Sequence, residues 1–268
     1  MMKFAAAGFI CVDYYANLDN YNYATGNGVD VLYNLMSMRN DIEGVIVSAV
    51  GDDSFGEVLL DSFRDRGLDI THLDVVPGVP TASFGMLLNG RDRVHAYPQM
   101  GVMEDYHFSE EMIAYIAKQD YAHVDYQSEL SHRLDEITAN GTKVFFDFTK
   151  IRGNHPDAEK VYPYLECGLA SFEEDGDELR SFLKHGCEQG AKVMIGTMGE
   201  NGSVAYDGKQ FYECGIVTAK ELVNTVGAGD SYFAGFISAW IDGKSVQECM
   251  QSGAERSAQV VAHFDPYF

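Results

Sequence analysis

The sequence predicts an α/β fold, an open sheet with helices on both faces and a small extended insert. Three observations predict it. Short apolar, β-branched runs alternate with helical spacing from residue 2 to residue 196, the pattern of a parallel sheet covered on both sides. The connections between these runs are helix-forming, which favours an open layer over a barrel. Two segments, 12–24 and 80–100, break the rhythm with extended, tyrosine-bearing runs.

Residues 2–10 (MKFAAAGFI) read as a buried first strand. Gly26 to Met38 follows as a helix with Val29, Leu32, Tyr33, Leu35 and Met36 on one side. GVIVSAV (44–50) is a strand, and 54–67 has helical spacing closed by Gly67 as a C-terminal cap. The alternation recurs as strand 121–126 with helix 128–139, strand 143–148 with a helical segment up to Leu165, and strand 168–172 with helix 175–188. KVMIG (192–196) is the next strand, and Asp207-Gly208 marks a tight hairpin after it. Asp230 starts a helix with one apolar face ended by Gly243, and Ser245-Val-Gln-Glu248 is a capping box for a last helix over 246–262.

In the insert, Asn89-Gly90 is a hairpin-turn signal between two extended runs. Paired with 12–24, this hairpin makes a small sheet over one edge of the binding crevice, a lid; a surface hairpin without function is the other reading. The 268 residues accommodate one domain, 1–268, with the lid inserted in it. No signal peptide or membrane span is expected, and five scattered cysteines without a C-x-x-C pair indicate a reduced, cytoplasmic protein.

The 41 acidic against 19 basic residues give a net charge of −22. Such a surface repels phosphate backbones and anionic lipid, so neither nucleic acid nor membrane is an expected partner. It draws in cationic small molecules, although solubility alone also accounts for it.

The chemistry concentrates in NTVGAGDSYFAGF (224–236). Composition alone nearly accounts for a G-x-G-D string, so context carries its meaning. Thr225-Val-Gly-Ala-Gly229 lies directly before a helix N-terminus, where unpaired N–H groups and aligned peptide dipoles attract an anion. Asp230 beside a bound phosphate is suited to accept the proton of a hydroxyl attacking a phosphoryl group. It equally suits an acid that stabilises its own helix. A second glycine element, Thr197-Met-Gly199-Glu-Asn-Gly202, follows a strand end, where open α/β sheets bind ligands. Other chemistries fail: Ser238 occupies the leading glycine's place of a P-loop ending at Gly243-Lys244-Ser245. The dinucleotide, nucleophile-elbow and zinc-protease motifs are missing. The eight histidines lack paired metal-ligand spacing and read as surface or packing residues.

With both glycine elements and the insert in view, the chain resembles the PfkB/ribokinase family of carbohydrate kinases from end to end, with fructosamine kinases as the nearest likeness. Four ordered segments carry it: Gly26-Asn27-Gly28, Val50-Gly51-Asp52-Asp53-Ser54-Phe55-Gly56, Thr197 to Gly202, and Asn224 to Asp230. The fructosamine likeness rests on ICVDYY, TGNGVD, DRVHAYPQMGVMED and FFDF. The resemblance implies a Rossmann-like, ribokinase-like α/β/α sandwich whose β-sheet lid holds the sugar and forms a homodimer interface. It implies Asp230 as catalytic base, with Gly227, Ala228 and Gly229 as the anion hole. Thr197, Gly199, Gly202 and Thr225 would line ATP; Asp13, Gly26, Asn27 and Asp30 would hold sugar hydroxyls, with Arg93 closing over the sugar or standing solvated on its hairpin. The reaction implied is phosphorylation of a sugar hydroxyl, foremost the 6-hydroxyl of fructoselysine or a related fructosamine. Another small sugar, or binding without catalysis, stays open.

The resemblance also implies Mg²⁺ on the ATP phosphates and, in many members, a monovalent cation such as K⁺ near the adenine-side loops. The sequence departs from the family at several places. Family members usually carry Asp where Asn224 stands, which weakens the case for the cation here, Asn where Asp30 stands, and Gly where Thr25 stands. A motif that influences Mg²⁺ is present only as Ser171-Phe-Glu173-Glu174, which makes Glu174 the candidate metal residue.

Overall fold

The computed structural model describes residues 1–89, 92–149 and 158–268, with the side chains of 92–95 also outside the description. Its strands are β1 (Met2–Ala7), β2 (Cys11–Tyr15), β3 (Tyr21–Thr25), β4 (Ile42–Gly51), β5 (Asp69–Val76), β6 (Ser83–Asn89) and β7 (Asp92–Gln99). They continue with β8 (Tyr121–Asp125), β9 (Lys143–Asp147), β10 (Leu165–Ser171), β11 (Val193–Thr197), β12 (Ser203–Tyr206) and β13 (Phe211–Cys214). The helices are α1 (Asn27–Met38), α2 (Ser54–Asp65), α3 (Glu110–Ile116), α4 (Leu134–Thr138), α5 (Ala158–Val161), α6 (Asp177–Glu188), α7 (Ala228–Ile241) and α8 (Val246–Val260).

The main sheet has the order β13-β12-β11-β10-β9-β8-β1-β4-β5. It is parallel from β5 to β11 and antiparallel across β11-β12-β13. Its strands are buried on both faces, which is why they read as continuous apolar runs. One face packs side chains of α1, α2, α7 and α8 against Phe4, Phe145 and Cys167; the other packs α3, α4, α5 and α6 against Val45, Val124 and Phe146. The predicted layers are therefore present. His123, fully buried beside Phe233, is a packing residue that burial holds neutral, with its pKa pulled down to about 3.

The two segments outside the alternation pair with each other in a second sheet of order β3-β2-β6-β7. The β2–β6 pair is parallel and the other two are antiparallel. The Val50–Gly56 motif secures the entry to this sheet. Asp53 caps α2 by accepting from Gly56 N at 2.9 Å, and it also takes Thr81 N at 3.0 Å and Thr81 Oγ1 at 2.6 Å, just before β6.

Three elements differ from the sequence reading. Strand β5 was not anticipated, because this edge strand is largely half-exposed and lacks an apolar run. Helix α3, capped by Ser109, is too short at seven residues to show a helical period in the sequence. The helix expected over 128–139 is a tight turn at 129–132 followed by the short α4. There the Glu129 carboxylate leaves the helical path to accept Phe108 N at 2.6 Å and to contact His107 at 2.8 Å.

Candidate active site

The C-terminal ends of β1, β8 and β9, the first turns of α1 and α7, and strand β2 converge on one crevice. Gly26 begins it with φ of 130°, outside the usual range of other residues, and a Cβ there would clash with the Phe9 carbonyl oxygen at 2.6 Å. Asn27, at the head of α1, donates Nδ2 to Asp147 Oδ2 at 2.6 Å. Asp30, one turn in, is buried and accepts Thr25 Oγ1 on Oδ2 at 2.8 Å; its Oδ1 has no hydrogen-bond partner. Asp13 on β2 is buried and faces Tyr23, whose hydroxyl donates at 3.5 Å.

The sequence reading does not single out Asp125 or Asp147, which fall within the strands 121–126 and 143–148. They are register partners on adjacent parallel strands, both buried. Asp125 accepts Phe9 N at 3.1 Å and Gln127 N at 2.8 Å, and Asp147 accepts Thr149 N at 2.6 Å. The signal available was the recurrence of Asp at the C-terminal end of two apolar strands, YAHVD and KVFFD. Asp230 is half-buried in the first turn of α7.

Removal from water dominates the electrostatics of all these carboxyls. It raises Asp13 and Asp125 to about 7 and Asp147 to about 6, in each case against the pull of hydrogen bonds to the ionised form. Asp230 is raised by desolvation and then by the charge of Asp147, with a smaller push from Asp125. Asp30 is raised by desolvation and then by Asp230. Burial and mutual repulsion thus push these carboxyls toward their neutral forms.

A cavity of about 740 Å³ adjoins the crevice, at the ends of β10 and β11 and beside α8. Thr197, Gly199, Gly202, Thr225, Ala228 and Gly229 all line it. Beside polar residues such as Ser171, Ser203 and Ser257, its wall has an apolar part: Ile216 and Leu222, more than half exposed on the loop 215–223, together with Ala254, Ala258 and Val261. An exposed apolar wall of this size suits a flat, weakly polar ligand such as a purine ring.

The N-terminus of α7 stands between the two compartments. Gly227 caps it with φ of 73°, and a Cβ at Gly227 would collide with Pro266. Ala228 and Gly229 line the large cavity and Asp230 follows them on the crevice side. The structure therefore links Asp13, Asp30 and Asp230 by their mutual charges and Asn27 through Asp147, and gathers Thr197, Gly199, Gly202, Thr225, Ala228 and Gly229, without Gly227, on the cavity wall. Glu174 does not join them. It is exposed in the turn between β10 and α6 and is not part of the cavity wall, which Ser171 and Phe172 supply. The side chain of Arg93 lies outside the described residues. Among the described residues no three His, Cys, Asp or Glu side chains form a metal-holding group, and no helix is long and apolar enough to cross a membrane.

Comparison with known proteins agrees with this architecture. Residues 151–268 match the pfkB family carbohydrate kinase model. The chain is 32% identical over 263 residues to fructoselysine 6-kinase of Shigella flexneri, covering 98% of each chain. It is 26% identical over 262 residues to fructosamine kinase FrlD of Bacillus subtilis, covering 96% of this chain and 90% of that one. Among solved structures, Arabidopsis thaliana ribokinase complexed with ribose and ATP superposes with a TM-score of 0.82 at 17% identity, covering 99% and 94% of the two chains. A putative ribokinase II of E. coli in complex with ATP and Mg²⁺ gives 0.78 at 19% identity, with the same coverage. The fold is ribokinase-like and the protein is an ATP-dependent sugar kinase. It belongs to the pfkB family of carbohydrate kinases.

The raised carboxyls predict a pH dependence of stability. Folded values near 6 to 7 against an ordinary value of 3.8 mean that the folded state binds more protons than the unfolded chain between those limits. Their contribution is greatest below about pH 4 and is lost as pH rises through about 7. The ligand-free melting temperature should therefore fall between pH 5.5 and 8, and less steeply in the Asp125→Asn, Asp147→Asn double variant. Equal slopes in the two proteins would assign the effect to overall charge instead.

Proposed function

We propose that this kinase phosphorylates the 6-hydroxyl of fructoselysine or a closely related fructosamine, with Asp230 as the general base. The single observation that carries the catalytic part is the position of the α7 N-terminus, between a nucleotide-sized apolar cavity and a crevice of desolvated carboxyls. ATP lies in the cavity with its adenine against Ile216, Leu222 and Ala258 and its phosphates toward Gly227, Ala228 and Gly229. The N–H groups of Gly227 and Gly229, more than that of Ala228, which donates to the Thr225 carbonyl at 3.2 Å, stabilise the charge that develops on the transferring phosphoryl group. The sugar lies in the crevice, its hydroxyls met by Asp13, Asn27 and Asp30. Asp230 accepts the hydroxyl proton, the hydroxyl oxygen bonds to the γ-phosphorus, and the bond to the β-phosphate oxygen breaks to release ADP.

Mg²⁺, when bound, would neutralise the ATP phosphates, and with no metal-holding side-chain group among the described residues it would depend mainly on those phosphates and water. Glu174, exposed and apart from the cavity wall, contributes at most through such water. The monovalent cation is left out of this assignment, because Asn224 presents an amide where the resemblance implies a carboxylate.

The cationic substrate follows from charge. An empty crevice with five raised carboxyls disfavours their simultaneous ionisation, and an ammonium entering it relieves the repulsion. It thereby returns Asp230 to the ionised form that a base requires. Asp30, a carboxylate where relatives of this family carry an amide, offers the buried, unpartnered Oδ1 to a ligand donor. The names of the two curated relatives point to the same class of substrate.

Asp230→Asn should lower kcat by about 10²–10⁴-fold while ATP affinity, measured by calorimetry, changes little; undiminished turnover would remove Asp230 from the mechanism. In a coupled ADP-release assay, fructoselysine should exceed fructose and ribose in kcat/KM by at least about tenfold, the worth of one charge-assisted hydrogen bond. Turnover confined to neutral sugars would overturn the substrate and leave the kinase standing. The same proposal has two copies meeting through the second sheet, where Tyr21 and Tyr97 are exposed. A sedimentation mass of one chain would exclude that assembly.

A further inference from the structure

The loop that delivers the anion-binding turn is fastened by an unusual device. Val223 N and Asn224 N both donate to the Val261 carbonyl, at 2.8 and 3.1 Å, tying the loop to the residues that follow α8. The Asn224 side chain is buried and finishes the attachment. Its Nδ2 donates to the Phe264 carbonyl, and its Oδ1 accepts Val226 N at 2.8 Å. Gly227 comes next, packed against Pro266, so the turn 261–266 touches the loop on both sides of Asn224.

The two bonds of Asn224 fix the orientation of its amide. Turning it over would set oxygen against the Phe264 carbonyl oxygen and NH₂ against the Val226 N–H, two repulsions in place of two hydrogen bonds. A carboxylate in this position has no such solution. It would accept from Val226 N but turn its second oxygen on the Phe264 carbonyl, and a cation between the two would be needed to hold them together.

The monovalent cation implied by the family resemblance therefore does not fit the residues present. The Phe264 carbonyl is taken by the Asn224 amide, and the Val261 carbonyl accepts two N–H groups. The nearby carboxylate of Asp265 is engaged by the Tyr21 hydroxyl at 2.7 and 2.9 Å. Residues 222–226 and 260–264 bring no negative charge of their own.

We infer that Asn224 is a positioning residue that replaces the monovalent cation: its amide bridges the loop 224–227 to the turn 261–266, so the anion-binding turn is ordered without K⁺. Asn224 does not touch the reacting groups and acts through Gly227–Gly229. The inference rests on the kinase reading for its activity arm, but the stability arm needs no turnover, so the two can fail separately.

The test compares the full-length wild type with Asn224→Asp in KCl and in choline chloride of equal ionic strength. Melting temperature and kcat/KM for the best sugar found are measured in each. The wild type should give the same values in both salts. In choline, Asn224→Asp should lose about tenfold or more in kcat/KM and melt lower, as expected when two acceptors are left facing each other. In KCl it should recover most of both losses. A melting temperature or activity of the wild type that rises with K⁺ over choline would overturn the inference. So would an Asn224→Asp variant equally impaired in both salts. Asn224→Leu supplies the remaining control: it removes the bridge without creating a cation ligand, so its defect should not respond to K⁺, and a K⁺ response would place the cation elsewhere and overturn the assignment.

Discussion

The site depends on one electrostatic constraint: an anion-attracting helix N-terminus set against a group of desolvated carboxyls. The two would cancel in water. Here they are kept apart by the first turn of α7, with Ala228 and Gly229 on the wall of the large cavity and Asp230 within the reach of Asp147 and Asp125. In the proposed reaction, phosphate meets the N–H groups and the sugar meets the carboxylates. The distance between donor and acceptor is then set by a single helical turn, among the stiffest spacings a protein can offer.

That turn needs support from elsewhere in the chain. Gly227 has a left-handed conformation and no room for a side chain, because Pro266 lies against it. Pro266 is itself held through its carbonyl by Asn34 Nδ2 at 3.0 Å, and the same Nδ2 reaches the Asp30 carbonyl at 2.8 Å. Buried Arg256 donates to Asn34 Oδ1 at 2.9 Å and sets the amide's orientation. Neighbouring residues Phe264, Asp265 and Tyr267 pack on or bond to Tyr15, Tyr21 and Ala24 of the second sheet. One short segment thus touches the anion-binding turn, the first helix and the sheet over the crevice, and movement of any one is felt by the others.

The glycine motifs differ in what they do. The Val50–Gly56 string is architectural: its Asp53 caps α2 and fixes Thr81 ahead of β6. Gly26 serves an approach of backbone to backbone, whereas Gly227 lets Pro266 pack against the head of α7. Motif spacing alone did not separate these roles, since each is a glycine at a strand-to-helix junction. The partner that a Cβ would meet separates them.

The layers of the fold were legible from the sequence because they depend on local periodicity. Buried parallel strands such as VFFD and helices such as 54–65 declare themselves by which residues avoid water. The edge strand β5 and the tight turn at 129–132 did not, since exposure of one and the long-range bonds of Glu129 in the other override local pattern. The same division holds in the site. The G-x-G-D string and the strand-end glycines marked residues that meet on one cavity wall, because helix termini and strand ends are local properties. Only the tertiary structure decided that Asp125 and Asp147 stand side by side and that Asn224 reaches Phe264. Those groups are 22 and 40 residues apart, and no periodicity within a segment records a meeting that the sheet register and the packing of the C-terminal turn bring about.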